Sequence, residues 1–218
     1  MDKKSFINKQ FKWNYLDNVD ITDIYDMPKI KAVNNLFPRN LVDFSNAKYC
    51  KERDNSWFHF YTYDSKFNHF WNDPGKYLKM LSQFEGGISP DYSIYIDMPY
   101  PQQVYNSWRN KVSTCILQEC GINVIPNVGW GGEETFDWAF DGIPENSMLA
   151  VTSQGCMKDS MCMRTFVNGI HELIRQKHPT DLVVYGNFKE EWYDKFDVNI
   201  IRISSYSEFR WRNKDGQR

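Results

Sequence analysis

No apolar run in this sequence approaches the ~20 residues that a membrane span needs. The opening residues, MDKKSFINKQFKW, also lack the apolar middle of a signal peptide. No membrane association is expected. A surplus of one charge is missing too: 26 Lys and Arg stand against 28 Asp and Glu, a net charge of −2. That balance argues against a protein that coats nucleic acid, because phosphate affinity needs clustered cations. The one basic run, Arg210, Arg212, Lys214 and Arg218, reads as a solvated tail. Cysteines number five (Cys50, Cys115, Cys120, Cys156, Cys162), with neither the pairing of a disulfide framework nor the spacing of a zinc site. Reduced thiols and a cytoplasmic location are expected. No histidine stands four residues from His171, so no metal pair forms on a helix there. Neither a metal nor another cofactor is expected.

What is present is a globular composition, 41% hydrophobic and 25% charged, with aromatic residues at 17%. Short apolar runs alternate with amphipathic ones from residue 40 onward. Strands are expected at LVDFS (41–45), WFHFYTY (57–63), YSIYID (92–97), NVIPNV (123–128), SMLAVTS (147–153), DLVVYG (181–186) and NIIRIS (199–204). Helices are expected at PGKYLKMLSQF (74–84), PQQVYNSWRNKVSTCILQECG (101–121), MCMRTFVNGIHELIRQKHP (161–179) and KEEWYDKF (189–196). The alternation implies right-handed crossovers and a parallel sheet. The fold expected is a TIM-like or incomplete (β/α) barrel with parallel strands; the alternative is an open doubly wound parallel sheet. An irregular N-terminal segment (1–39, with MPKIKAV as a candidate extra strand), a single α/β domain (40–204) and a C-terminal tail (205–218) complete the division.

Both architectures place ligands at the carboxyl ends of the strands. The candidates there include Asp64, Asp97, Asn127, Trp130, Ser153, Asn187 and Ser204. Asp97, with Asp64 or Glu133, is the candidate catalytic pair, since glycosidic-bond chemistry needs two carboxylates; capping of the next helix is the competing role for Asp97. The loop VGWGGEETF lacks both the Walker A lysine and the G-x-G-x-x-G spacing. Glu133 and Glu134 stand where a phosphate would sit, and complement a helix dipole there. Trp130 is a candidate for stacking. Asn106, Arg109, Asn110 and Ser113 recur on one helix face, which is expected to be solvated unless Arg109 clamps an anion. Cys156 is expected to be an inert thiol.

The segments PDYSIYIDMP, YNSWRNK, GINVIPNVGW, FDWAFDGIP, VTSQG and LVVYGN, in that order, resemble the DUF4417 family of bacterial and phage proteins, over residues 57 to about 187. Positions matching its pattern are Asp91, Ser93, Asp97, Pro99, Asn106, Arg109, Asn110, Gln118, Gly121, Pro126, Trp130, Gly142, Gly155, Gly169, Tyr185 and Gly186. The resemblance implies a mobile-element setting and assigns no activity. Three functions follow as expectations. The first is a pocket enzyme using carboxylate acid/base chemistry on a nucleoside-, nucleotide- or sugar-like substrate, with Arg109, Asn106, Trp130, Asn127, Ser153 and Asn187 binding it. The second is a non-enzymatic protein that sequesters a small molecule or a host protein. The third is a nucleic-acid-processing accessory protein.

Overall fold

A computed structural model describes residues 12–156, 159–188 and 195–204. Its strands are β1 (Leu41–Asp43), β2 (Trp57–His59), β3 (Gly86–Ile88), β4 (Val124–Ile125), β5 (Leu149–Thr152), β6 (Asp181–Tyr185) and β7 (Asn199–Ile203). The first four pair in parallel in the order β1-β2-β3-β4, the last three in the order β5-β6-β7. A parallel bridge between Asn127 and Ala150 joins the two sets, with Val128 N–H donating to Ala150 O and Ala150 N–H to Pro126 O, both at 2.8 Å. The strands thus run side by side in chain order. That order contains no reversal, the feature that defines a doubly wound sheet. No pairing between β1 and β7 closes the sheet among the described residues.

The sheet curls tightly all the same. His59 on β2 and Tyr185 on β6 have ring centres 4.9 Å apart, and Tyr61 stacks on Tyr185 at 4.6 Å. Four strand spacings in a flat sheet would separate them by about 19 Å. Trp57, Ile88, Ile125, Ala150 and Val183 form one buried cluster, with Leu41 and Ile201 packed against it. Every strand sends a residue to it.

Helices α1 (Asp64–Asn72), α2 (Gly75–Leu81), α3 (Tyr100–Glu119), α4 (Phe136–Phe140) and α5 (Ser160–Lys177) lie between the strands. Pro74 caps α2 at its start, and Gly121, past the end of α3, takes φ +74°, a conformation that costs glycine little. The outward strand residues meet the helices in two further clusters. One gathers Phe58, Phe60, Phe67 and Val112, the other Leu149, Val151, Leu182, Phe166 and Ile170.

Two sequence expectations need correction. Residues 92–97 form a loop, and the third strand is Gly86–Ile88 instead. Glycine is a poor strand former, yet nothing larger fits here. A Cβ on Gly86 would lie 2.5 Å from the Trp57 ring, and one on Gly87 would lie 2.2 Å from the Phe58 ring. MPKIKAV forms no strand; its Pro28 makes only an isolated antiparallel bridge back to Ile21. Met27 and Ile30 are nevertheless buried in the α4–α5 core, and Ile30 N–H donates to Gly142 O at 2.9 Å. Residues 189–194 of the expected last helix lie outside the described residues, as does the 205–218 tail with Arg210, Arg212, Lys214 and Arg218.

Candidate functional site at the carboxyl ends of the strands

Side chains alternate faces along a strand, so the residues two positions beyond the apolar cluster share its face. Leu41 is followed by Asp43, Trp57 by His59, Ile125 by Asn127, Ala150 by Thr152 and Val183 by Tyr185. An apolar layer therefore gives way to a polar one at the carboxyl ends. Asp43 and His59 are register partners on neighbouring strands.

Tyr61 links two titratable groups in this layer. Its hydroxyl donates to Asn127 Oδ1 at 2.9 Å, and Asn127 Nδ2 donates to Asp91 Oδ1 at 2.8 Å. Ser89 Oγ accepts from the Asn127 N–H at 2.8 Å, fixing that residue's backbone. In the other direction the Tyr61 N–H donates to His59 Nδ1 at 3.2 Å. An accepting Nδ1 carries no proton, so neutral His59 holds its proton on Nε2.

Burial sets the electrostatics. It pushes the Asp91 carboxyl up to about 6; the Asn127 hydrogen bond opposes the shift and the nearby Asp64 charge adds to it. Burial also pushes the His59 imidazole down to about 4 against the pull of Asp43. The Tyr61 hydroxyl is raised well above its ordinary value, again by burial first. Each group is held toward its uncharged form, as desolvation demands.

Of the residues singled out from the sequence, Asn127 sits at the centre of this network, and Asp64 flanks it. Asp64 opens α1 and accepts from Ser93 Oγ at 2.9 Å and from Ser93 N–H at 3.2 Å. Asn106 is buried and donates to Ser93 O at 2.6 Å. Arg109 is half-buried, its guanidinium 3.8 Å from the centre of the Tyr92 ring, and it donates to Asn106 Oδ1 at 2.7 Å and Asn68 Oδ1 at 3.1 Å. The helix face expected to be solvated is therefore buried: Asn106, Asn110 and Ser113 are 3%, 6% and 0% exposed. It is covered because the 89–99 loop lies across it.

The others stand apart. Asp97 ends no strand and is exposed on a turn before α3. Glu133 is exposed and accepts from Asn168 Nδ2 on α5 at 2.9 Å. Trp130 is folded onto α5, its Nε1 donating to Thr165 O at 3.2 Å and its ring stacked on Phe166. Ser153 is buried on the helix side of β5, one residue past the inward Thr152, and donates to Asn187 O at 2.8 Å. Asn187 is exposed. In the glycine loop the Gly131 N–H is taken by Thr135 Oγ1 at 3.0 Å, and α4 beyond it has five residues. Burial pushes the Cys156 thiol up to about 11. Among the described residues no three His, Cys, Asp or Glu side chains gather as metal ligands would.

The site candidates drawn from the sequence left out Asp43, His59 and Tyr61, while Asp91 and Tyr185 stood there only as positions matching the family pattern. The available signal was parity: in LVD, WFH and LVVY the polar or polar-tipped residue falls on the alternate positions occupied earlier by Leu41, Trp57 and Val183.

The Gene 1 protein of Mycobacterium phage L5 is 32% identical over 162 residues, 73% of this chain and 70% of that protein. The Gene 1 protein of Mycobacterium phage D29 is 31% identical over 151 residues, 69% of this chain. The chain spans about half, 54%, of the D29 protein's length. No solved structure matches the chain. No helix among the described residues is long and apolar enough to cross a membrane. The model of a domain of unknown function, DUF4417, matches residues 19–207, and the chain belongs to that family.

Proposed function

We propose that the curled sheet is an incomplete (β/α) barrel and that its carboxyl-end mouth is the active site of a small-molecule enzyme. The observation that carries this reading is the Asp91–Asn127–Tyr61 chain of hydrogen bonds, set directly above an apolar plug. Asp91 acts as the acid/base carboxylate, in the place the sequence pattern suggested for Asp97, with Asp64 as its charged neighbour. A carboxyl that titrates near neutrality both accepts and returns a proton at modest cost. Asn127 and Tyr61 orient it, and Arg109 and Asn106 support the wall formed by the loop. The substrate class is nucleoside-, nucleotide- or sugar-like: such compounds present the hydroxyls and ring heteroatoms that a mouth of Asp, Asn, Tyr and neutral His can bond. The phage relatives support a role in infected bacterial cytoplasm.

The test is a thermal-shift screen of the full chain against nucleosides, nucleotides and sugars, repeated with Asp91→Asn. At least one compound class should raise the wild-type melting temperature, and turnover of that compound should fall at least ~100-fold in the variant, the usual scale for a lost acid/base group. No stabilising compound, or a variant that turns the compound over at the wild-type rate, defeats the proposal.

A further inference from the structure

Side chains, rather than strand pairing, hold the loop between β3 and α3. Asn110 of α3 accepts from the Tyr92 N–H at 2.7 Å and donates to the Tyr92 carbonyl at 3.1 Å, so one amide takes both backbone groups of one residue. Asn106, a turn earlier, donates to the Ser93 carbonyl at 2.6 Å, and Gln103 to the Met98 carbonyl at 2.7 Å. From the opposite side Asp64 takes the Ser93 N–H and hydroxyl. Arg109 occupies Asn106 Oδ1, which turns the Asn106 Nδ2 toward Ser93.

Gln103, Asn106 and Asn110 fall three and then four residues apart, on one face of α3, and each is at least nine-tenths buried. A helix serving packing alone would place apolar residues there, since buried amides cost free energy unless every bond is made. Asn110 spends both ends of its amide on Tyr92, the residue next to Asp91, and Asn106 and Gln103 each donate to the same loop, although the buried Gln103 Oε1 has no hydrogen-bond partner. A loop fixed in this way does not have to be ordered when a ligand arrives.

We propose that Asn110 is a positioning residue: by gripping both backbone groups of Tyr92 it holds the Asp91 carboxylate against Asn127 at the mouth. The inference rests on Asp91 being the site carboxylate and names the residue that places it.

The experiment follows the Asp91 carboxyl by NMR pH titration in the ligand-free full chain. Wild type should titrate at about 6. Asn110→Ala should lower that value by about one unit, as the loop loosens and water reaches the carboxylate. Asn106→Ala should move it the same way by less. Val112→Ala, on the same helix but in the aromatic core behind the sheet, should cost stability and leave the Asp91 titration in place. A folded Asn110→Ala with the wild-type value overturns the proposal, as does a Val112→Ala that shifts it equally. Where Asn110→Ala does not fold, Asn106→Ala decides by the same criterion. Wild type titrating in the ordinary carboxylate range would instead remove Asp91 as the acid/base group, a separate failure visible before any variant is made.

Discussion

Asp91→Asn should stabilise the protein at neutral pH and do nothing at low pH. The folded-state pKa of Asp91 is about 6 against an ordinary value of 3.8. For a carboxyl raised in this way, the folded chain binds the extra proton between the two values. Its contribution is fully present below pH 3.8 and is lost as pH rises through 6. Two pKa units correspond to about 3 kcal/mol, which is a ceiling because Asp91 keeps part of its surface in water. Asparagine keeps the shape and the oxygen that accepts from Asn127, and carries no charge to bury. At pH 7.5 the variant should therefore gain about 1–2 kcal/mol, or about 2–8 °C in Tm for a chain of this size. Urea denaturation of both proteins at intervals from pH 4 to 8 measures it. The stability difference should open between pH 4 and 6 and stay level above. A variant less stable at pH 7.5, or a difference independent of pH, refutes the assignment of Asp91 as a destabilised, mouth-facing carboxylate.

Lys111, 2% exposed, donates to Ser107 Oγ at 2.7 Å and to the Ala139 carbonyl at 3.0 Å, and burial pulls its pKa down to about 7 from 10.5, with Asp141 opposing. Wild type should therefore gain several kcal/mol between pH 7 and 10.5 relative to Lys111→Met; parallel urea midpoints for the two proteins would count against it. Gly169→Ala would put a Cβ 2.1 Å from the Trp130 indole, costing about 1–3 kcal/mol by overpacking. The double variant with Trp130→Phe should recover part of that loss in calorimetry, and strict additivity would show that the indole is not the obstacle.

The strands that could be read from sequence are those whose apolar residues carry their own propensity: β1, β2, β4, β5, β6 and β7. The strand that could not, β3, consists of two glycines and an isoleucine, and its glycines are dictated by Trp57 and Phe58 on the neighbouring strand. Nothing local to residues 86–88 announces that. Conversely YSIYID has a strand's pattern, yet its backbone is claimed by Asn106, Asn110 and Asp64, a tertiary effect that overrides propensity. The site followed the same division. Asn127 and Asp64 were legible as polar residues near strand ends. Asp91, just ahead of the YSIYID run, drew notice only as a position matching the family pattern, while Asp97 sat at the end of that apolar run and took the catalytic role. Ser153 and Thr152 are adjacent and both polar, and only strand parity separates the one facing the helices from the one facing the mouth.

Cost distinguishes the mouth from ordinary packing. Replacing Asp43, His59, Asn127 and Thr152 by apolar residues would continue the layer that Leu41, Trp57, Ile125 and Ala150 begin, and would bury no amide or charge. The chain instead keeps a carboxyl and an imidazole whose order of acidity is reversed: Asp91 at about 6 and His59 at about 4, where free side chains stand at 3.8 and 6.5. Tyr61 touches both chains of contact, through its N–H to His59 and through its hydroxyl to Asn127 and on to Asp91. Between pH 4 and 6 burial therefore favours a protonated carboxyl at Asp91 and an uncharged imidazole at His59, joined only through Tyr61 and Asn127, where free side chains would present a carboxylate and an imidazolium. Two titratable groups driven past one another by their surroundings are the pattern expected under the acid/base role proposed for Asp91. Packing alone gives no reason to maintain that inversion at a cost in stability.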